Sequence, residues 1–274
     1  MLRLSPDRLG IALAPDNVTW AVMRRGLRYR LQAKGMARFE AQDGKAWQLA
    51  LQELQSELPR LPVTRGDVTV VLSNAFVRYL VVNGGEMLSG AEERLALAKH
   101  DFMKVYGGVT QDWEIRISAA DAGGKYLASA VDAELIEQLR HIFSTTGFKL
   151  VSIQPYFALA FDTWCTKLDG KSSHGIFLSE TSGYCYAGIG ADAWEFMRSG
   201  RWEENDPAET FQRVIGREAY LSGATQRELW WCPAHDKAFA KVLSAVKQAR
   251  PLPGTEALPD LAEPEYALAL AGVA

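Results

Sequence analysis

The clearest hydrophobic pattern in the chain runs from Tyr126 to Pro155. Tyr126–Val131 is a short apolar run, and Asp132 stands where a helix can be capped. Leu135, Leu139, Ile142 and Phe143 then recur on one face of a 3.6-residue repeat until Gly147 stops it. Phe148–Gln154 returns as an apolar strand, and Pro155 ends it because proline carries no amide to continue a ladder. The pattern predicts strand, helix, strand.

Upstream, Leu9–Ala14, Val18–Met23 and the stretch from Leu27 to Phe39 predict a three-stranded meander, with turns at Pro15-Asp16-Asn17 and Arg24-Arg25-Gly26. Trp47, Ala50, Leu51, Leu54 and Leu58 fall at helical spacing, Pro59 and Pro62 close that helix, and Val68–Leu72 reads as a buried strand. Asn74–Val82 predicts a further strand. Ser89 with Glu92 forms a capping box for a helix striped by Ala91, Leu95, Ala98, Phe102 and Val105, which Gly107-Gly108 ends. Trp113–Ile117 is a strand, Tyr156–Leu168 a helix, and Asp169–Ser173 has the composition of a linker. Beyond it, Gly175–Leu178, Tyr184–Ile189 and Ala193–Met197 are three strands again. Asp206-Pro207 opens a helix holding Phe211, Val214 and Ile215, Leu229–Cys232 is a strand, His235–Lys247 a helix, and Glu263-Pro264 opens the last one. The order βββαβα occurs twice without any sequence repeat, which implies a topological duplication.

Length and composition sharpen this. At 274 residues the chain exceeds a single core, and 48% apolar with 23% charged residues excludes a mostly disordered protein. A net charge of −3 provides no field for nucleic acid. The basic run Arg24–Arg30 alternates charged with apolar residues, as a hairpin with one solvated face does. Cys165, Cys185 and Cys232 are widely spaced, as buried thiols of a reducing compartment are. The first residues lack the apolar core of a signal peptide, and the longest near-apolar run, Tyr266–Ala274, is too short to span a bilayer. A cytoplasmic protein with no direct membrane insertion is expected. His100, His141, His174 and His235 lack ligand spacing, and Gly-x-Ser-x-Gly, HExxH and Walker-type loops are absent.

A duplicated βββαβα order with a small module inserted in its first half resembles the actin-like ATPase fold, an α/β, ribonuclease H-like architecture, in the variant of the cell-division actin homologue. Val68–Val82, Tyr126–Asp132 and Leu150–Pro155 resemble in wording the actin-like assembly platform proteins of type IV pili (PilM-like) and the cytoplasmic domain of the type II secretion L protein. The resemblance implies a first lobe at residues 1–73 completed by a helix at 155–168, an inserted α+β module at 74–154, and a second lobe at 169–274.

It also implies where nucleotide would bind. Actin-like ATPases use two strand-turn-strand loops in which Asp holds magnesium waters and Gly lets backbone amides cradle phosphate. Here the first loop places Ala12 at the Asp position and Ala14 at the Gly position, and Pro15 removes an amide donor. The second places Phe177 and Ser179 there, and Cys232-Pro233-Ala234 replaces the glycine-rich adenosine loop. Asp16 and Glu180 lie nearby but displaced. The chain is therefore expected to be a non-catalytic scaffold without a cofactor, the alternative being a diverged actin-like ATPase or nucleotide sensor that uses ATP and magnesium. The resemblance further implies a partner, an inner-membrane pilus or secretion assembly protein, whose tail docks near Phe76, Arg78 and Tyr79, with Tyr106, Trp113 and Tyr156 as neighbours. The competing reading of those six is that they stabilise the inserted module.

Overall fold

The structure is a computed structural model that describes residues 6–25, 29–40, 46–85, 90–119, 121, 124–165, 168, 172–190, 193–202, 207–222, 227–232, 249–251 and 266–273. The chain divides into two compact units. One comprises Met1–Phe76, Ala133–Thr163 and Glu256–Ala274, and the other Val77–Asp132 and Trp164–Thr255.

In the first unit, β1 (Arg8–Leu13), β2 (Asn17–Arg25) and β3 (Tyr29–Arg38) form the expected meander, α1 (Ala46–Glu57) follows, and β4 (Gly66–Leu72) returns parallel to β1. The two faces of this sheet differ because strand residues alternate. Leu9, Ile11 and Leu13 stand in register with Val68, Val70 and Leu72 on the bulky face, where α1 packs. Trp20 belongs to that face too; its ring lies over Gly35, where any Cβ would fall 2.3 Å from it, and its indole N–H donates to Glu57 Oε2 at 3.2 Å. The opposite face is built of small residues, among them Gly10, Ala12 and Ala21. The smallness admits a helix at close range, since a Cβ on Gly10 would fall 2.0 Å from the Ala269 carbonyl oxygen of the C-terminal helix (Ala267–Ala271).

The second unit contains two sheets. β5 (Arg78–Asn83), α2 (Ala91–Tyr106), β6 (Trp113–Ile117) and β7 (Lys125–Asp132) form a small module whose antiparallel strands are ordered β5-β7-β6. Val82, Ala98, Phe102, Ile115 and Tyr126 make its core, and the Tyr126 hydroxyl donates to the Arg94 carbonyl at 2.7 Å, tying α2 to the sheet. After β7 the chain passes through α3 (Ala133–Ser144), β8 (Phe148–Pro155) and α4 (Tyr156–Trp164), which ends earlier than the expected Leu168. Then come β9 (His174–Glu180), β10 (Gly183–Ile189), β11 (Trp194–Arg201), α5 (Pro207–Ser222), β12 (Glu228–Cys232) and β13 (Ala249–Pro251); the C-terminal helix is α6. The large sheets have orders β3-β2-β1-β4-β8 and β11-β10-β9-β12-β13, the same topology twice. The duplication read from element order is thus present in strand order.

Three expectations need correction. The stretch expected as one module at 74–154 contains two things: β7 pairs with β5 and β6, whereas β8 pairs parallel with β4 as the fifth strand of the first sheet. Periodicity identifies a strand but not its partner. The strand expected from Asn74 starts only at Arg78, because Ser73 turns the chain: its hydroxyl accepts the Ala75 N–H at 3.1 Å and its carbonyl the Phe76 N–H at 3.0 Å. The helix expected to be capped by Ser89 instead has Gly90 as its N-cap, with no side-chain cap bond; Ser89 lies outside the described residues. β13 was not foreseen, being three residues long and ending on proline. The expected helix His235–Lys247 and the helix start at Glu263-Pro264 lie outside the described residues.

Candidate functional site

The turn between β1 and β2 is closed on itself. The Ala14 N–H donates to the Asn17 carbonyl at 2.9 Å, Pro15 has no N–H, and the Asp16 carbonyl accepts the Phe39 N–H at 3.0 Å. The Asp16 carboxylate accepts the Asn17 side-chain amide at 2.8 Å, so the acid works as a turn residue. Ala12 is buried between β2 and β4, opposite Thr19 and Val71. The one amide that the Ala14 position offers is spent on the turn.

At the second loop, Phe177 is fully buried in an aromatic cluster. Its ring meets Phe211 edge-on at 4.7 Å and stacks on Tyr184 at 5.6 Å, with Tyr186, Phe196 and Trp231 completing the group. A side chain in this position plugs the core of the lobe. Ser179 is buried too. Glu180 is 5% exposed; its carbonyl accepts the Trp202 indole N–H at 2.7 Å, and its carboxylate acts on Cys185 and Tyr79. Burial pushes the Cys185 thiol well above its ordinary value, with Glu180 adding to the shift. Pro233 lies outside the described residues.

The six docking candidates separate. Phe76 and Tyr156 belong to the first unit; Arg78, Tyr79, Tyr106 and Trp113 belong to the second. Tyr156 is 2% exposed and Tyr79 5% exposed, so neither presents a surface for a peptide, and both are withdrawn as docking residues. Burial pushes the Tyr79 hydroxyl well above 10.0, and Cys185 and Glu180 raise it further, which places this ring where the module meets β9 and β10. Arg78, the next residue along the strand, is exposed, and Phe76 is half-buried. Tyr106 and Trp113 do come together, edge to face at 5.2 Å, both packed on Phe102 at 6.0 and 6.1 Å. Beyond them the end of α2 and the following turn expose Val105 and Val109, making an apolar tip on the module.

Two anchoring residues were not anticipated. Asp121 accepts the Lys125 N–H at 2.8 Å through one oxygen and the Trp194 N–H of β11 at 2.9 Å through the other, fastening the module's β6–β7 loop to the second lobe. Asn74 Oδ1 accepts the Phe157 N–H at 3.1 Å and so fixes the start of α4. Their turn context was readable; partners 73 and 83 residues away were not. His174 is buried, its Nδ1 accepting the Trp230 indole N–H at 3.1 Å, a satisfied core histidine. Among the described residues no three His, Cys, Asp or Glu side chains gather as a metal site, and no helix is long and apolar enough to cross a membrane.

These sheets and their connections define an actin-like α/β fold. Among solved structures the chain is similar to the PilM–PilN type IV pilus biogenesis complex (TM-score 0.68, 11% identity, 97% of each chain covered). It is similar also to a protein of Bacteroides thetaiotaomicron with an actin-like ATPase fold and unknown function (0.63, 10% identity, 90% of this chain and 91% of that one). A third is the cytoplasmic domain of EpsL, an inner-membrane component of the type II secretion system of Vibrio cholerae (0.52, 13% identity, 82% and 81%). No protein-family model and no curated protein matches the chain.

Proposed function

We propose that this chain is a non-catalytic, cytoplasmic actin-like scaffold of a pilus or type II-like secretion assembly, which holds the tail of an inner-membrane partner. The observation that carries the loss of catalysis is the closed β1–β2 turn, where Ala14 spends its amide on Asn17 and Pro15 has none to offer. The plugged position of Phe177 points the same way. Likeness to PilM–PilN and to the EpsL cytoplasmic domain supports the assembly role. Of the docking residues first considered, Arg78, Tyr106 and Trp113 keep accessible surface in the second unit and Phe76 in the first. The test is capture of the cytoplasmic tail of a neighbouring inner-membrane assembly protein by the full chain. Arg78→Ala is expected to weaken capture by about tenfold or more while the melting temperature stays put. Undiminished capture by that variant removes the residue-level support for this site.

A further inference from the structure

We infer that strand β3, an edge of the first sheet among the described residues, takes an acidic extended segment of a partner protein as an added strand. Unpaired strand edges attract other strands, so folded proteins guard them. Among the described residues the other edges of the three sheets are guarded. β8 bulges at Val151 and is packed by α3; β13 has three residues and ends in Pro251; β11 is packed by β5; β6 has five residues and lies under α2. β3 is ten residues long and, among the described residues, has β2 as its one strand neighbour. Its register shifts between Leu31 and Ala33, and from Ala33 to Arg38 it runs six residues in unbroken register. Ala33, Gly35, Met36 and Ala37 there are small or unbranched, and each is half-buried.

The two cations of that stretch do not shield the edge. The Lys34 ammonium sits over the Tyr266 ring at 4.9 Å, and Arg38 Nε donates to the Met36 sulfur at 3.1 Å, which draws both along their own sheet face. Charge then selects the occupant. Arg24, Arg25, Arg28, Arg30, Lys34 and Arg38 fall between residues 24 and 39 with no acid among them, in a chain whose net charge is −3. Arg24 and Arg30, both exposed, stand directly opposite each other across β2 and β3. Like charges so placed destabilise a strand pair, and an acidic side chain beside them relieves the repulsion. Strand addition supplies affinity through main-chain hydrogen bonds and specificity through alternate side chains, and here Lys34 and Arg38 share one sheet face, where alternate side chains of an added strand would stand beside them. The inference stands on the β3 edge and does not depend on the assembly role proposed above.

The test uses the full chain and three fluorescein-labelled ten-residue peptides. One alternates Glu and Val, the second alternates Lys and Val, and the third is the Glu/Val peptide with every backbone amide N-methylated, which keeps its charge but leaves neither edge a donor for a ladder. Anisotropy titration is expected to show binding of the first alone, at least about tenfold tighter than the other two. Amide exchange across residues 33–38 should slow in that complex, and Arg30→Glu with Arg38→Glu should weaken it about tenfold or more. Equal binding of the N-methylated peptide reduces the effect to unspecific charge attraction and overturns strand addition. Binding of the Lys/Val peptide, protection confined to other strands, or no binding of the Glu/Val peptide overturns the proposal as well.

Discussion

Tyr79 and Arg78 are consecutive in β5, yet replacing them is expected to give opposite results. Successive strand residues leave opposite faces, and here one is 5% exposed while the other faces solvent. Tyr79→Ala removes a ring from a closely packed place, and aromatic-to-alanine losses of this kind cost about 3–5 kcal/mol. Tyr79→Phe keeps the ring and gives up the hydroxyl, a loss of about 1 kcal/mol. Arg78→Ala is expected to stay within about 0.5 kcal/mol of the parent. Urea unfolding followed by tryptophan emission measures all three, since Trp113 lies in the module and Trp194 and Trp202 in the second lobe. A cost below about 1 kcal/mol for Tyr79→Ala, or an equal cost for Arg78→Ala, refutes the assignment of Tyr79 as a packing residue.

Other expectations follow from single contacts. Asp121→Ala strips the acceptor from the Lys125 and Trp194 amides and should cost about 1–3 kcal/mol, with faster hydrogen exchange at Trp194; Asp121→Asn should fall between. Gly10→Ala pushes a methyl against the Ala269 carbonyl and should destabilise the first unit by about 1–3 kcal/mol, read as a lowered unfolding midpoint. Burial raises the Tyr186 hydroxyl from 10.0 to about 12, so the folded chain keeps a proton that the unfolded chain releases. Its contribution is intact below pH ~10 and is lost as pH rises toward ~12, by about 1.4 kcal/mol per unit; Tyr186→Phe should flatten that alkaline fall.

Much of the fold was legible because its signals are local. The meander of β1 to β3, the helices α1 and α3 and the strands β9 to β12 all announce themselves by period and turn residues. Partner choice was not legible: nothing within Phe148–Pro155 says that it joins β4 rather than β7. Grouping Arg78 with Tyr79 in one groove overlooked the period of two that sends neighbours to opposite faces. Tyr156 was misplaced for another reason, since an aromatic at a helix start is core or surface according to what packs over it. At the two loops, the residue types at Ala14, Pro15 and Phe177 could be read directly, whereas the bond from Ala14 to Asn17 required coordinates.

We propose that the loops of this actin-like chain hold no nucleotide. Isothermal calorimetry of the full chain with ATP and magnesium tests it most directly. No saturable heat is expected up to millimolar nucleotide, because the β1–β2 turn has spent its amide and Phe177 fills its position with a ring. A dissociation constant tighter than about 1 mM, abolished by Asp16→Ala, contradicts it and brings the diverged-ATPase reading forward.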